Sequence, residues 1–280
     1  MYWSTNVGVG LSDMIRKITV TLLAVFLSAS LPELVLAQRI EDNSFLLEEA
    51  YNQEDGVVQH INLFQYNEKT HDWDYAFTQE WPVGGQANQF SYTLPVSRVS
   101  GDDDHETGFG DMLLNYRRQV VSKEDVAFAP RFSLILPTGD YKEGLGTDSV
   151  GFQANLPLSV LLTDDVVMHW NLGATYVPDN REPGGHREDT TGINYGASLI
   201  YLVTPTWNLM LEMAGTTEDL PVEDFGTSRE ESFFVSPGTR FAFNFESGLQ
   251  IVPGFAFPIG VGPSDGEWGV IGYLSFEHPF

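Results

Sequence analysis

The chain has 280 residues and a formal net charge of −25, from 14 Lys and Arg against 39 Asp and Glu; it is 13% aromatic and holds no cysteine. That balance excludes nucleic-acid binding, which needs a basic face to displace counterions from phosphate, and the missing cysteine excludes disulfide scaffolds, thiolate metal sites and thiol nucleophiles. A mean hydropathy of −0.14 excludes a polytopic helical membrane protein, whose spans each need about 20 continuous apolar residues. It does not exclude a membrane β-barrel, whose strands need only every second residue apolar.

The first element is an export signal. Arg16 and Lys17 precede an apolar run over 18–31, and Leu34-Val35-Leu36-Ala37 follows Pro32 and Glu33. A basic start, a short apolar stretch and small residues before a cut describe a secretory signal peptide, cleaved between Ala37 and Gln38. Pro32 and Glu33 break the run short of a full span, against an uncleaved anchor. Met14-Ile15-Arg16-Lys17 would itself open a normal signal, so residues 1–13 read as an over-extended start. Residues 38–55 form a periplasmic N-terminal segment. Asn43 or Ser44 is placed to cap a short helix whose apolar surface is Phe45, Leu46 and Tyr51, tucked into the barrel mouth. The alternative is a frayed arm.

From residue 56 to 280 apolar residues alternate with others, the signature of strands with two different faces. Trp73, Tyr75, Phe77, Trp81 and Val83 share one face; Met112, Leu114 and Tyr116 share another; Val166, Met168, Trp170, Leu172, Ala174 and Tyr176 a third. Runs of about 10–13 residues match a tilted bilayer crossing, where ordinary strands average nearer 5–6. Counting from an opening run over 57–66, about twelve such runs occur. Short connections (84–87, 121–125, 163–165, 204–206, 244–247) alternate with mostly long ones (101–108, 138–150, 178–191, 215–232, 260–267), only the first, near 67–72, being short. That is the plan of an outer-membrane barrel, with periplasmic turns and extracellular loops. The predicted fold is therefore all-β, a transmembrane antiparallel β-barrel of about 12 strands. A soluble β-sandwich also alternates, but it has no reason to alternate its loop lengths.

The five long loops hold 19 acids and four bases, an acidic rim that attracts cations and shares divalent ions with lipopolysaccharide. The stretch GDDDHE at 101–106 lacks the spacing of a defined calcium loop, so no metal site is assigned. Inward parity places Asp111, Asn115, Arg117, Arg131, Gln153, Asn155, His169, Asn171, Glu212 and Arg240 in the lumen. Both signs in one confined space imply either a water-filled pore or a charge network that plugs it. Three arginines against Asp111 and Glu212 predict a locally positive constriction. Arg118 has lipid-facing parity near an inner strand end, where its side chain can snorkel. Leu274, Phe276 and the terminal Phe280 share one parity, the form of signal read by the barrel-assembly machinery. His278 and Pro279 depart from the usual form.

Catalytic motifs are wanting. No Ser lies near a His at strand spacing, and Gly108-Phe109-Gly110 precedes no helix. The reading is no enzyme, no cofactor and no metal.

The segments SFLLEEAYNQEDGVVQHI at 44–61, NQFSYTLPV at 88–96, GFGDMLLNYRRQ at 108–119, FAPRFSLILPTGDY at 128–141 and SPGTRFAFN at 236–244 resemble the outer-membrane transporters of the MetA-pathway of phenol degradation family. The resemblance covers most of the chain after residue 37. It implies a transport-type barrel associated with uptake of small aromatic or hydrophobic compounds, and it transfers no binding residue. Two functions follow as expectations: a passive channel for small-molecule solutes, or a structural, surface-interacting barrel with a closed lumen and cation-binding loops. The expected location is the bacterial outer membrane, and the partners are its lipid and lipopolysaccharide, the assembly machinery and a solute, with no nucleic acid.

Overall fold

The computed structural model describes residues 40, 44–100, 105–222 and 226–280. The expected signal peptide and residues 101–104 of the acidic stretch lie outside them.

Twelve strands form one closed antiparallel barrel. The first three are β1 (Val57–Asn67), β2 (Trp73–Pro82) and β3 (Asn88–Ser100). Strand β4 is built from His105–Phe109, Met112–Arg118 and Val121–Ser122, β5 from Val126–Phe128 and Arg131–Leu136, and β6 from Gly151–Asn155 and Leu158–Thr163. Then come β7 (Val166–Arg181), β8 (Arg187–Thr204), β9 (Trp207–Pro221) and β10 (Thr227–Phe241, then Phe243–Asn244). Strand β11 is Gln250–Ala256 with Ile259–Gly260, and β12 is Gly269–Pro279. Each strand pairs with its neighbour in sequence. The barrel closes where β1 meets β12, in register from Val57 opposite Pro279 to Asn67 opposite Gly269. Closure leaves no open edge, which a sheet in hydrocarbon requires because no water is there to satisfy unpaired backbone groups.

Residue parity sorts the two faces. Phe132, Leu172, Leu199, Leu209 and Leu211 are exposed on the outer surface, while Ser133, Asn171, Ser198, Asn208 and Glu212, their immediate neighbours in sequence, are buried inside. This is an apolar exterior around a polar interior, the reverse of a soluble protein, and it fits a lipid surround.

Two of the outer connections are shorter than their sequence suggests. Strands β7 and β8 stay paired up to Arg181 opposite Arg187, and β9 and β10 up to Pro221 opposite Thr227. Most of 178–191 and 215–232, expected as loops, is strand. Ladder hydrogen bonds come from the backbone and do not need apolar alternation, so the hairpins continue where the lipid-facing pattern has ended. Arg181 and Arg187 both reach Asp148 in the loop between β5 and β6, at 3.1 and 2.7 Å.

Proline interrupts two neighbouring strands at one height. Pro130 breaks β5 and Pro157 breaks β6, since neither can donate to the ladder; the Ala129 amide donates to the Pro157 carbonyl at 3.1 Å. On the inner face there, Ala127 and Ala129 are fully buried against Ala50 and Tyr51. Small wall residues thus leave room for the segment that precedes β1.

Candidate functional site

Residues 44–53 carry no helix and do not hang from the barrel mouth. They form a bent strap that runs through the lumen, held by three groups of wall residues. A bent backbone enclosed by a barrel has no ladder of its own, so its N–H and C=O groups must find side-chain partners. The inward-facing Ser, Asn, Gln, Glu and Arg residues supply them.

The rising limb lies on the β8–β12 side. Ile40 and Phe45 join an apolar patch formed by Ile61, Ile200, Met210, Val252 and Ile271, among others. The Phe45 ring stands 5.5 Å from that of Tyr273. Glycines in the wall make the slot: a Cβ on Gly254 would lie 2.7 Å from Phe45 Cε1, and one on Gly196 would lie 2.7 Å from Leu47 Cδ2. Glu212 accepts hydrogen bonds from the amides of Phe45 (3.3 Å) and Leu46 (3.1 Å), and the Ser44 hydroxyl donates to that of Ser198 at 2.8 Å.

The apex is Glu48. Asn171 accepts from the Glu48 amide (3.1 Å) and donates to its carbonyl (2.7 Å). The carboxylate accepts from Arg131 Nε at 2.8 and 2.9 Å to its two oxygens and from Asn155 Nδ2 at 3.0 Å, and it lies 2.7 Å from Arg131 Nη2 in an ion pair. Arg131 is held from the wall side by Asn115 Oδ1 (3.0 Å), Gln153 Oε1 (2.8 Å) and the Ser133 hydroxyl.

The descending limb is gripped mainly by Arg117. Its guanidinium donates to the carbonyls of Glu49 (3.0 Å) and Tyr51 (2.6 Å), to Asn52 Oδ1 (2.8 Å) and to Gln89 Oε1 (3.1 Å). Gln89 Oε1 also accepts from the Gln53 amide at 2.8 Å, while Gln89 Nε2 donates to Glu80 at 2.6 Å. The Ala50 amide donates to Ser159 Oγ (2.8 Å), itself 2.7 Å from His169 Nδ1, and Gln119 Nε2 donates to the Ala50 carbonyl at 3.1 Å.

The structure therefore brings Asn115, Arg117, Arg131, Gln153, Asn155, His169, Asn171 and Glu212 into one hydrogen-bonded interior with the strap. Arg240 is buried nearby and lines a chamber of about 320 Å³ with His169, Ile40 and Tyr51. Asp111 stands apart: its carboxylate accepts from the Gly139 amide (2.9 Å) and from the amide (2.9 Å) and hydroxyl (2.7 Å) of Thr147, fixing an outer loop. The expected unbalanced arginine constriction is corrected. The strap inserts Glu48 against Arg131, and Arg117 spends its donors on strap carbonyls beside Glu80, 3.9 Å away. Of the residues not singled out from sequence, Glu80 and Gln89 carried a usable signal, being polar at inward strand positions, whereas Glu48, Asn52 and Gln53 of the strap lie where no alternation marks a face.

Two further cavities flank the apex. An outer vestibule of about 550 Å³ is lined by Gln153, Thr175, Asn194 and Glu218, and a smaller cavity of about 190 Å³ by Phe45, Thr78, Ser91 and Thr93. Leu46, Glu48 and Arg131 line both, so they form the partition between the two. At the chain end, Leu274 and Phe276 face outward on β12, and exposed Phe280 donates its amide to the Gly56 carbonyl at 2.9 Å.

A closed twelve-stranded barrel with apolar outer and polar inner faces is the fold of outer-membrane channels and porins. The chain belongs to the family described as "Putative MetA-pathway of phenol degradation", which matches residues 41–261. It is similar in fold to the COG4313 outer membrane channel from Pseudomonas putida F1, with a TM-score of 0.60 and 15% identity over 82% of this chain and 98% of that one. It is also similar to the NanC porin, with a TM-score of 0.50 and 7% identity over 79% of this chain and all of that one. No curated protein matches the chain.

Proposed function

We propose that the protein is a passive outer-membrane channel for small solutes, with the strap as its resident constriction. The observation that carries this reading is the pair of cavities that meet at Leu46, Glu48 and Arg131. A barrel kept for structure alone gains nothing by holding a chamber of about 550 Å³ above its plug, whereas ligand sites typically measure about 300–1,000 Å³. The family description suggests small aromatic cargo, and the amide- and hydroxyl-lined vestibule favours such compounds when they carry polar substituents. The chain would reach the membrane through the signal at 1–37, be folded by the assembly machinery that reads Leu274, Phe276 and Phe280, and sit among lipid and lipopolysaccharide.

A second reading is favoured by the density of strap-to-wall hydrogen bonds: a closed barrel that presents its acidic loops to partners or cations. Single-channel recording in planar bilayers, on the full barrel and on a form lacking residues 40–53, separates the two. The channel reading expects small or intermittent conductance that becomes large and steady without the strap. Silence of the full barrel, with no solute flux across liposomes, selects the closed barrel even where the strapless form conducts.

A further inference from the structure

Resting on the channel reading, we infer that the wall around Arg131 is a carboxylate-binding site, that Glu48 occupies it as a tethered ligand, and that free carboxylate solutes open the channel by taking its place. The wall side of this site is built without the strap. The Arg131 guanidinium is held in position by Asn115 Oδ1, Ser133 Oγ and Gln153 Oε1. Asn115 is itself fixed by the Ser133 hydroxyl at 2.6 Å and by donating to Ser91 at 3.1 Å. Gln153 is fixed by donating to Thr175 at 3.0 Å. That leaves Arg131 Nε, with Nη2 beside it, and Asn155 Nδ2 presented to the lumen as donors. Charge-assisted donors of this kind recognise a carboxylate, and the structure shows one seated there, with Nε donating to both of its oxygens.

Three observations make the occupant replaceable. Glu48 is the tethered half, while Arg131 is fixed in the sheet, so a competitor must mimic Glu48. The Glu48 side chain is 25% exposed and Arg131 13%, and both line the outer vestibule, so a solute arriving from outside meets the pair directly. Asn155 is buried and also lines the vestibule, yet its Oδ1 has no hydrogen-bond partner. A buried amide oxygen left without a donor is costly, and a hydroxyl beside a solute's carboxylate would satisfy it. Small hydroxycarboxylates therefore fit the site better than plain carboxylates. Loss of Glu48 from this position removes one wall of the partition and joins the two cavities. The acids of the vestibule, Glu218 and Asp219, slow the arrival of anions without altering the fit; Asp219 is already paired with Arg229 at 3.3 Å.

The test uses the full barrel. The chain has no cysteine, so Leu46→Cys carries a unique spin label on the strap. Acetate and glycolate are titrated at constant ionic strength, with methylammonium as control. The expected result is a rise in the mobile label fraction with acetate, a response to glycolate at about tenfold lower concentration, and none to methylammonium. Added to the labelled chain, Glu48→Gln should give a mobile label from the start and abolish the carboxylate response. In bilayers, acetate should raise the open fraction of the unlabelled wild type. A label unmoved by either carboxylate, or moved equally by methylammonium, overturns the proposal. A strap that carboxylates release without any conductance upholds the site and overturns the channel reading, so the two failures are distinct.

Discussion

Phe45 occupies the space that a side chain at Gly254 would need: a Cβ there would lie 2.7 Å from ring atom Cε1 and 2.8 Å from Cζ. The next neighbour, Arg240 Cβ, would be 3.1 Å away, so the severe clash is with the strap and not with the wall. Gly254→Ala should therefore push the strap out while leaving the barrel intact. Overpacking of this kind costs about 1–3 kcal/mol, which shifts the strap equilibrium roughly 5- to 150-fold towards the released state. Channel recordings should show a longer open time, with unchanged heat-modifiable migration on gels. On a Phe45→Ala background the same substitution should lose its effect, because the two act through one contact. An equal effect on both backgrounds would show that Gly254 matters to the sheet itself.

Arg117 is the other main holdfast, and its removal should behave differently. Arg117→Ala withdraws donors from the carbonyls of Glu49 and Tyr51, from Asn52 and from Gln89. It also takes the guanidinium away from Glu80, which is buried 3.9 Å from it. Breaking a buried charge pair from one side costs about 3–5 kcal/mol, so both strap and barrel should weaken. The expected readouts are strap proteolysis at 49–53 and a lower unfolding temperature of the barrel. Adding Glu80→Gln should recover part of the temperature loss and none of the strap protection.

These two residues also show what the sequence made legible. Arg117 and Gly254 both lie on strands, where a period of two assigns each side chain to a face, and the inward position of Arg117 could be read from Leu114 and Tyr116 beside it. The twelve-strand plan was legible for the same reason, because lipid demands an apolar residue at every second position. The strap was not legible. Phe45 to Gln53 is held largely through backbone amides and carbonyls, which every residue possesses, so no alternation records where they bind. The partner of Arg117 was hidden in consequence, and the arginines looked unbalanced until Glu48 was found among them. The tall hairpins of β7–β10 were missed because polar residues pair as well as apolar ones once the strand has left the bilayer.

Phe280 touches little of the barrel: it is 74% exposed, and its amide donates a hydrogen bond to the Gly56 carbonyl. Its removal should leave the purified barrel's thermal stability within about 0.5 kcal/mol, as for most exposed positions. If the terminal aromatic serves assembly, the yield of folded protein in the outer-membrane fraction should instead fall severalfold. Equal yields with and without Phe280 would assign recognition elsewhere, with Leu274 and Phe276 on the same face as the next substitutions to make.

Acid should release the strap, and the sign follows from Glu48. Burial acts to raise its pKa, but the guanidinium of Arg131, the charge of Arg117 and the bonds from Arg131 and Asn155 outweigh burial and hold it below the ordinary 4.5. A group whose pKa is lowered on seating favours the seated state above its free value. That favour is lost as pH falls through the lowered value. The strap should accordingly stay seated across neutral and mildly acidic pH and come loose only below about pH 4.5. Single-channel open fraction or strap proteolysis, followed from pH 7 downward, should stay flat and then rise. Glu48→Gln should remove this step, since an amide does not titrate, and should hold the strap weakly at every pH. The outer acids also lose charge in this range, but they are present in both chains, so the difference between wild type and Glu48→Gln isolates the latch. A step of equal size in both would place the acid sensor in the loops and not at the Glu48–Arg131 pair.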